Sequence, residues 1–303
     1  MIRGLKQGVA VLACLSVMIF VLGCKKEEPE RQAGAQSQPA TQQSGEALLC
    51  YVGGTIRPAL EEIGKLYKAE TGQEVIFDTA DSGDLIVRIE TEKKGDLFVC
   101  HDPFLTMLMD HGLGAEGWVI ATFHPVIVVP KGNPKGIHGL QDLAKPGMSL
   151  IVTNEYSTLG HLLPIMFKKA GVDFDKLKET NIKKMVRSGS EAANNVVIGN
   201  FDAALCWNAV AALRSDKLDA IAISPEHLPV PGVDAVTSAT GKVYDVGLIK
   251  VTIATLKCST NLDQATKFSE YVASPKGAAV FAKLGYSPVP ADLMKPIMAP
   301  AGK

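Results

Sequence analysis

The chain has 303 residues, of which 47% are hydrophobic and 21% are charged, and its formal net charge is −1. This balance is ordinary for a globular protein and excludes the strongly basic surface that a nucleic-acid-binding protein presents. After the N-terminal leader and tether, roughly 250 residues remain, which is enough for two lobes or one large domain.

The N-terminal segment has the layout of an export signal. Arg3 and Lys6 precede an apolar run over 9–22, and a glycine stands directly before Cys24. The run is too short and wrongly flanked for a stable membrane span, so we predict a secretory signal over 1–23. The motif resembles the bacterial lipobox, which implies cleavage before Cys24 and diacylation of its thiol. An ordinary signal peptide with an incidental cysteine is the alternative.

Residues 24–46 are predicted to be a disordered linker. Between 25 and 45 the sequence is rich in Gln, Ser, Pro, Ala and charge, and it lacks aromatic residues. Such a stretch cannot bury enough apolar surface to offset its ordering entropy. A lipid on Cys24 followed by this tether implies a location on the periplasmic side of a membrane or at the cell surface. Lys25, rather than Asp, follows the cysteine and leaves inner versus outer membrane open.

The remaining cysteines do not form a motif. Cys50, Cys100, Cys206 and Cys258 lack the Cys-x-x-Cys spacing of a metal or redox site, and three of them lie near the ends of apolar runs. We interpret them as buried free thiols, although an oxidising compartment permits disulfides whose pairing the sequence leaves open.

The first part of the folded region alternates short apolar runs with amphipathic stretches. Strands are predicted at 48–52, 74–77 and 97–99, and helices at 58–67, from 84 onward and at 103–111. This order is typical of βαβ units and a parallel sheet.

A second alternation follows the strand at 126–129 and the breaker-rich loop at 130–134. Strands are predicted at 149–152, 184–186, 203–206 and 220–223, an extended run at 246–256, and helices at 159–170, 191–198, 263–272 and 276–284. Two such groups predict an α/β fold with two lobes that face a cleft.

Hydroxyl side chains recur at the turns after the predicted strands, where α/β sheets bind ligands. They are Thr55, Thr79, Ser82, Ser157, Thr158, Ser188 and Ser190. Together with the free N–H groups of helix N-termini, they would form a neutral cradle for an oxyanion. Each one alone is more commonly a helix cap, and their recurrence in both groups is what favours the cradle.

Several segments resemble the molybdate-type periplasmic binding proteins of ABC importers. They are the opening at 49–62, the stretch 67–72 with 81–83, the strand at 95–99, the crossing segment 128–134 with 140–147, and the closing segment 268–277 with 285–286. The resemblance implies a two-lobed type II periplasmic fold, each lobe a mainly parallel sheet flanked by helices, closing on a small ligand. The implied first lobe is 47–126, the second is 127–240, and 241–303 returns to the first.

The resemblance also implies a ligand site. The implied ligand-binding residues are Thr55, Ser82, Cys100, His101, Thr158, Leu159 and Trp207. Trp207 stands where the family usually has Tyr, and an indole N–H can donate but not accept. We expect His101 to donate to an anion, more strongly when protonated at mildly acidic pH. A guanidinium at Arg57 or Arg187 would favour carboxylate or phosphate, although surface exposure is the commoner fate of a lone Arg.

Two other interpretations of the same residues stay open. Cys100, His101, Asp102 and His161 would form a soft metal site if the lobes brought them together. Cys100 with His101 could instead be a nucleophile pair, but neighbours in sequence rarely face one another.

The predicted function follows from the resemblance and from the motifs that the sequence lacks. It has no phosphate loop, nucleophile elbow or His-Glu-x-x-His, so we predict a binding protein and not an enzyme, with no cofactor. The expected ligand is a small anion, foremost a tetrahedral oxyanion of the molybdate, tungstate, sulfate or phosphate type. The expected partner of this monomer is an ABC permease. The alternative is a sensor or scavenger of a metal or small organic anion without a transporter.

Overall fold

The structure is a computed structural model that describes residues 46–237 and 243–298. The predicted signal, Cys24 and the linker up to residue 45 lie outside the described residues. Within the described ranges, none of the helices has the length and apolarity that a membrane crossing requires.

The first group of elements alternates strands and helices as the apolar runs predict. Its elements are β1 (Leu48–Gly53), α1 (Arg57–Thr71), β2 (Val75–Ala80), α2 (Ser82–Glu92), β3 (Leu97–His101), α3 (Phe104–Asp110) and β4 (Gly114–Phe123). Helix α1 begins with Pro58 in its first turn, where the missing N–H costs no hydrogen bond, and Gly72 ends it with a left-handed φ of 77°.

The second group begins where the chain turns at His124. Its elements are β5 (Pro125–Pro130), β6 (Leu150–Thr153), α4 (Thr158–Lys169), α5 (Phe174–Thr180), β7 (Ile182–Val186), α6 (Gly189–Val197), β8 (Ala203–Trp207), α7 (Asn208–Ala212) and β9 (Leu218–Ala222). A short hairpin follows, and the chain then returns to the first sheet. These last elements are β10 (Ala235–Thr237), β11 (Val243–Asp245), β12 (Ile249–Leu256), α8 (Leu262–Ala273), α9 (Pro275–Lys283) and β13 (Ile297–Met298).

Two sheets organise the described chain. The six-stranded sheet has the order β13-β4-β12-β3-β1-β2, and the five-stranded sheet has the order β7-β6-β8-β5-β9. We call the first sheet with its helices the first lobe and the second sheet with its helices the second lobe. Strands β1, β2 and β3 pair in parallel, as do β6, β7 and β8, whereas β5 and β12 run antiparallel to their neighbours. The predicted α/β class with two helix-flanked sheets is therefore confirmed, and each sheet combines a parallel part with antiparallel strands.

Burial on both faces explains why the central strands read as continuous apolar runs. In β1, Cys50 and Val52 belong to the main core, while Tyr51 between them packs with Phe98 of β3 on the opposite face, together with α2 and α3. This alternation follows the two-residue period of a strand. Helices therefore cover the first sheet on both faces and leave the carboxyl ends of β1 and β3 free to form a site.

Some elements were not predicted. Strand β4 contains Gly114 and Gly117, which weaken a strand pattern, yet seven consecutive residues from Gly117 to Phe123 are buried. The short helices α5 and α7 and the β10–β11 hairpin also lacked a clear periodic signal.

Candidate functional site

A cavity of about 460 Å³ lies between the two lobes. The carboxyl ends of β1 and β3 line it from the first lobe, and those of β6 and β8 line it from the second. Helices α2, α4 and α6 all begin at this cavity. This is the expected ligand position in an α/β fold, where helix N-termini present unpaired N–H groups and positive dipole ends.

The wall contributed by the first lobe carries two hydroxyls, those of Thr55 and Ser82. Neither hydroxyl has a hydrogen-bond partner in the part of the chain that the structure describes. Gly53 makes room for Ser82, because a Cβ at residue 53 would lie 3.2 Å from the Ser82 Oγ. Asp81 occupies the N-cap position of α2 without a side-chain capping bond, so first-turn N–H groups of α2 remain available.

The turn that carries Thr55 is fixed from the far end of the chain. The Tyr286 hydroxyl donates to the Thr55 carbonyl oxygen at 3.0 Å. Tyr286 is 6% exposed, and burial raises the pKa of its phenol, so the hydroxyl keeps the proton that it donates. Tyr286 therefore positions the first-lobe wall.

The wall contributed by the second lobe uses its hydroxyls differently. Ser157 Oγ accepts from the Gly160 N–H at 3.0 Å, and Ser188 Oγ accepts from the Ser190 N–H at 3.2 Å. These two predicted cradle hydroxyls are therefore helix caps. Thr158 Oγ1 donates across the cleft to the Asp102 carbonyl oxygen at 3.0 Å. This wall offers a ligand backbone N–H groups, including those of Thr158 and the buried Leu159 that open α4, and the hydroxyl of Ser190, which has no partner among the described residues.

Trp207 lines the cavity and belongs to a stack of aromatic rings. Trp207 is 5% exposed and stacks on Phe123 with ring centroids 5.3 Å apart and an interplanar angle of 7°. Phe123 in turn stacks on Tyr286 at 5.1 Å. The indole N–H of Trp207 has no partner among the described residues, so it can donate to a bound group.

His101 lines the same cavity at the end of β3. Its Nδ1 lies 2.9 Å from the Asp102 carbonyl oxygen. Burial lowers the pKa of His101, and this effect outweighs the hydrogen bond to Asp102 and the negative charge of Asp102, which both raise it. The expected protonated donor at mildly acidic pH is therefore not supported.

Cys100 lies outside the cavity and corrects the prediction for that residue. Cys100 directly precedes His101 on β3, so its side chain points to the opposite face of the sheet. It is fully buried, and its Sγ lies 3.3 Å from Thr252 Oγ1. Burial raises the pKa of the Cys100 thiol, which disfavours the thiolate that a nucleophile or metal ligand needs. Cys50, Cys206 and Cys258 are likewise free thiols, and burial raises the pKa of Cys206 to about 12.

The residues of the alternative metal site are engaged elsewhere. The Asp102 carboxylate pairs with Lys250 Nζ at 2.8 Å and accepts the Lys250 N–H at 2.9 Å. His161 does not line the cavity. Over residues 46–237 and 243–298, no group of three His, Cys, Asp or Glu side chains is placed to hold a metal ion.

The two arginines noted in the sequence have different surroundings. Arg187 lines the cavity and its Nη2 lies 3.4 Å from the Asp81 carboxylate, which joins the lobes across the cleft mouth. Both side chains are more than half exposed, so this ion pair is weak. Arg57 pairs with Glu61 at 2.7 Å and donates to Thr79, and it is not part of the cavity lining.

Sequence reasoning missed Thr153, the last residue of β6. It lines the cavity and is 1% exposed, and its Oγ1 is buried without a hydrogen-bond partner among the described residues. An unsatisfied buried hydroxyl is costly, so its presence at this cavity calls for a partner. Its place at the carboxyl end of an apolar strand was the available signal.

Comparison with known proteins identifies the family. The model of bacterial extracellular solute-binding proteins matches residues 48–287. The chain belongs to this family. The solute-binding protein is 25% identical over 239 residues to the molybdate-binding protein ModA of Mycobacterium bovis, covering 77% of this chain and 85% of that protein.

Solved structures confirm the predicted type II fold. The solute-binding protein is similar to the periplasmic molybdate-binding protein of Azotobacter vinelandii, with a TM-score of 0.60, 17% identity, and coverage of 80% of this chain and 99% of that one. It is also similar to the sulfate-binding protein SubI of Mycobacterium tuberculosis, with a TM-score of 0.61, 20% identity, and coverage of 82% and 89%. The resemblance to molybdate-type binding proteins is thereby confirmed, and the protein is extracytoplasmic.

Proposed function

We propose that this solute-binding protein captures a small anion between its lobes and delivers it to an ABC importer. The observation that carries the proposal is the convergence of unpaired donors on one cavity. Thr55 and Ser82 supply hydroxyls from the first lobe, and helices α2, α4 and α6 supply N–H groups from both lobes. Such donors bind an oxyanion without a full countercharge, as in other helix N-terminal anion sites.

The ligand-binding set that we propose is narrower than the sequence-based one. It contains Thr55, Ser82, His101, Thr158, Leu159 and Trp207, and it leaves out Cys100. Cross-cleft contacts from Thr158 to Asp102 and from Arg187 to Asp81 support a binding mode in which the lobes close on the ligand. Molybdate- and sulfate-binding relatives favour the tetrahedral oxyanion class for this chain.

A ligand panel tests this proposal. Thermal unfolding is followed with molybdate, tungstate, sulfate, phosphate, small carboxylates and divalent metals, because a ligand that binds the native state raises its melting temperature. We expect at least one oxyanion to raise it and the metals to leave it unchanged. A response to zinc or copper alone would support the metal-binding alternative and contradict this proposal.

A double variant tests the proposed site. Thr55→Ala with Ser82→Ala removes two charge-assisted hydrogen bonds, so we expect affinity for the responding oxyanion to fall on the order of 100-fold or more. The matched control is Thr180→Ala with Ser215→Ala, which removes two exposed hydroxyls away from the cavity. Unchanged affinity in the first variant would place the site elsewhere.

The lipid anchor and the importer belong to the same proposal. A tether on Cys24 would keep the binding module near a membrane permease and raise its effective concentration there. We expect Cys24→Ser to move the protein from the membrane to the soluble fraction and to abolish incorporation of labelled fatty acid. We further expect the purified module to be monomeric and to stimulate ATP hydrolysis by its permease only with the anion bound.

A further inference from the structure

His101 is held in one orientation within the cavity wall. Its ring packs edge-on against Phe104, Phe123 and Trp207, with centroids 5.8, 5.9 and 6.0 Å away. Its Nδ1 is paired with the Asp102 carbonyl oxygen at 2.9 Å. The ring packing and the hydrogen bond together fix which nitrogen remains for a ligand, namely Nε2.

The Asp102 carbonyl also fixes the position of the proton. A carbonyl oxygen only accepts hydrogen bonds, so Nδ1 of His101 must be the donor and must carry the proton. Burial disfavours a second proton on this ring, as the lowered pKa of His101 indicates. In the neutral imidazole, Nε2 then presents a lone pair, and it has no hydrogen-bond partner among the described residues.

The charged groups near His101 do not alter this assignment. The Asp102 carboxylate, which would favour a protonated ring, is paired with Lys250 at 2.8 Å. The other side chains in ring contact with His101 are the uncharged Phe104, Phe123 and Trp207. The ring therefore presents a fixed acceptor to the cavity, which is also lined by hydrogen-bond donors and by the carboxylates of Asp81 and Asp84.

A fixed acceptor distinguishes anions of the same shape. A fully deprotonated oxygen facing Nε2 would set one lone pair against another, whereas an O–H group would complete a hydrogen bond. We propose that His101 Nε2 makes this site prefer an anion that carries an O–H group, either a protonated oxyanion such as hydrogen phosphate or a hydroxy acid. This inference rests on the proposed function of the same cavity and names its ligand class.

Thr153 supports this inference independently. Thr153 lines the same cavity, its buried Oγ1 lacks a partner among the described residues, and a hydroxyl can both donate and accept. The cavity of about 460 Å³ also falls within the range of about 300–1,000 Å³ for small-molecule sites, so it has room for a hydroxy acid. The site thus contains more than a ring of donors for a bare tetrahedral ion.

Calorimetric titration near neutral pH with two matched pairs of anions tests the inference. Phosphate and sulfate share a tetrahedral shape but differ by a proton, and glycolate differs from acetate by a hydroxyl. We expect the O–H member of at least one pair to bind on the order of 100-fold more tightly. Preference within the first pair identifies a protonated oxyanion as the source, and preference within the second identifies a hydroxy acid.

Variants at His101 complete the test. His101→Phe removes the acceptor and keeps the ring contacts, so we expect the preference to shrink to within about fivefold. His101→Leu, which also lacks a side-chain acceptor, is the second variant should the first fail to fold, with the same loss of preference expected. The control His138→Phe changes an exposed histidine outside the cavity and should keep the full preference.

The outcomes separate this inference from the proposed function. The inference is wrong if sulfate or molybdate binds as tightly as phosphate and acetate binds as tightly as glycolate. If the Thr55→Ala, Ser82→Ala variant then loses that binding, the proposed anion site is still supported. A preference that survives in His101→Phe would also overturn the inference. If none of the anions in either panel binds, the proposed function itself fails.

Discussion

In the first lobe, the Thr55 and Ser82 hydroxyls line the cavity without an intramolecular partner, whereas in the second lobe Ser157 and Ser188 cap the helices that begin there. The first wall can therefore meet a ligand with side-chain hydroxyls that are free to rotate. The second wall meets it with backbone N–H groups whose directions are set by α4 and α6, and with the hydroxyls of Ser190 and Thr153. The two capping serines of the second wall are therefore held by their helices, whereas the two hydroxyls of the first wall are not.

Because of this difference, replacing a hydroxyl residue should have different effects in the two lobes. Removing a hydroxyl from the first wall removes a ligand contact but leaves its helix intact, because neither Thr55 nor Ser82 makes a side-chain hydrogen bond to α2 among the described residues. Removing a hydroxyl from the second wall frees a backbone N–H that was capped and loosens the helix. Replacing a hydroxyl of the first wall should therefore reduce anion affinity, and replacing a capping hydroxyl of the second wall should reduce stability. The following variants test this expectation.

The largest effect is expected at Gly160, in the first turn of α4. A Cβ at this position would lie 1.7 Å from the Asn154 carbonyl oxygen, so Gly160→Ala must displace the start of the helix. Alanine favours helix by about 1 kcal/mol over glycine, but a backbone overlap of this size outweighs that gain. We expect unfolding free energy to fall by about 3 kcal/mol in urea titrations, together with affinity for the anion that the panel identifies.

Gly83, in the first turn of α2, is the matched control in the other lobe. A Cβ there would be 3.8 Å from the Phe104 ring, an ordinary contact. We expect Gly83→Ala to leave stability unchanged or raise it by up to about 1 kcal/mol. Equal destabilisation by the two alanines would mean that the second wall is no more rigid than the first.

The next effect distinguishes Ser82 from Ser188. Ser82→Ala should lower affinity for the identified anion by about 10- to 100-fold because it removes a charge-assisted hydrogen bond, with little change in stability. Ser188→Ala should lower unfolding free energy by about 1 kcal/mol because it removes a helix cap, with a smaller loss of affinity. Calorimetry and urea unfolding on both variants measure the two quantities. If Ser188→Ala affected binding alone, the distinction between the walls would be wrong.

The sequence predicted the arrangement of the walls better than their chemistry. Apolar runs and breakers located β1, β3, β6 and β8, and six of the seven implied ligand residues do line the cavity. A capping serine and a free serine look alike in sequence, because the difference depends on whether a backbone N–H two or three residues later lies in reach. The sequence could not separate Ser82 from Ser188 for this reason.

Other features depended on contacts between distant parts of the chain. The pairing of Arg187 with Asp81 joins the two lobes, and no spacing in the sequence indicates it. The acceptor role of His101 depends on where the Asp102 carbonyl lies relative to the ring. Cys100 was misplaced for a local reason, since adjacent strand residues point to opposite faces.

A smaller effect compares ion pairs in the two lobes at acidic pH. In the second lobe, Lys169 and Asp234 are 24% and 16% exposed and their charged atoms are 2.5 Å apart. The hydrogen bond from Lys169 holds the pKa of Asp234 below its usual value, helped by the N–H of Val230. A depressed carboxyl pKa stabilises the fold above the unfolded-state value of about 4, and this stability is lost as pH falls through the folded-state value.

We therefore expect Asp234→Asn to cost about 1 kcal/mol at neutral pH and to flatten the decline of stability below about pH 4. Glu70 in the first lobe is the control. Its hydrogen bonds from Lys276 and Tyr271 also lower its pKa, but the Glu70–Lys276 ion pair lies at an exposed surface. Glu70→Gln should change the pH profile less. Urea midpoints measured across acidic pH decide between them, and a larger change for Glu70→Gln would contradict the expected role of burial.

The smallest effect concerns Asp81, where the two walls meet. Its carboxylate lies at the cleft mouth, repels an entering anion and competes with it for Arg187. Because the pair is exposed and weak, Asp81→Asn should raise affinity for the identified anion only about two- to fivefold at low salt, with the gain disappearing at high salt. The control Asp263→Asn, an exposed first-turn residue of α8 outside the cavity, should change nothing. A fall in affinity for Asp81→Asn would instead show that the Asp81–Arg187 ion pair stabilises the closed arrangement of the two lobes in which the anion binds.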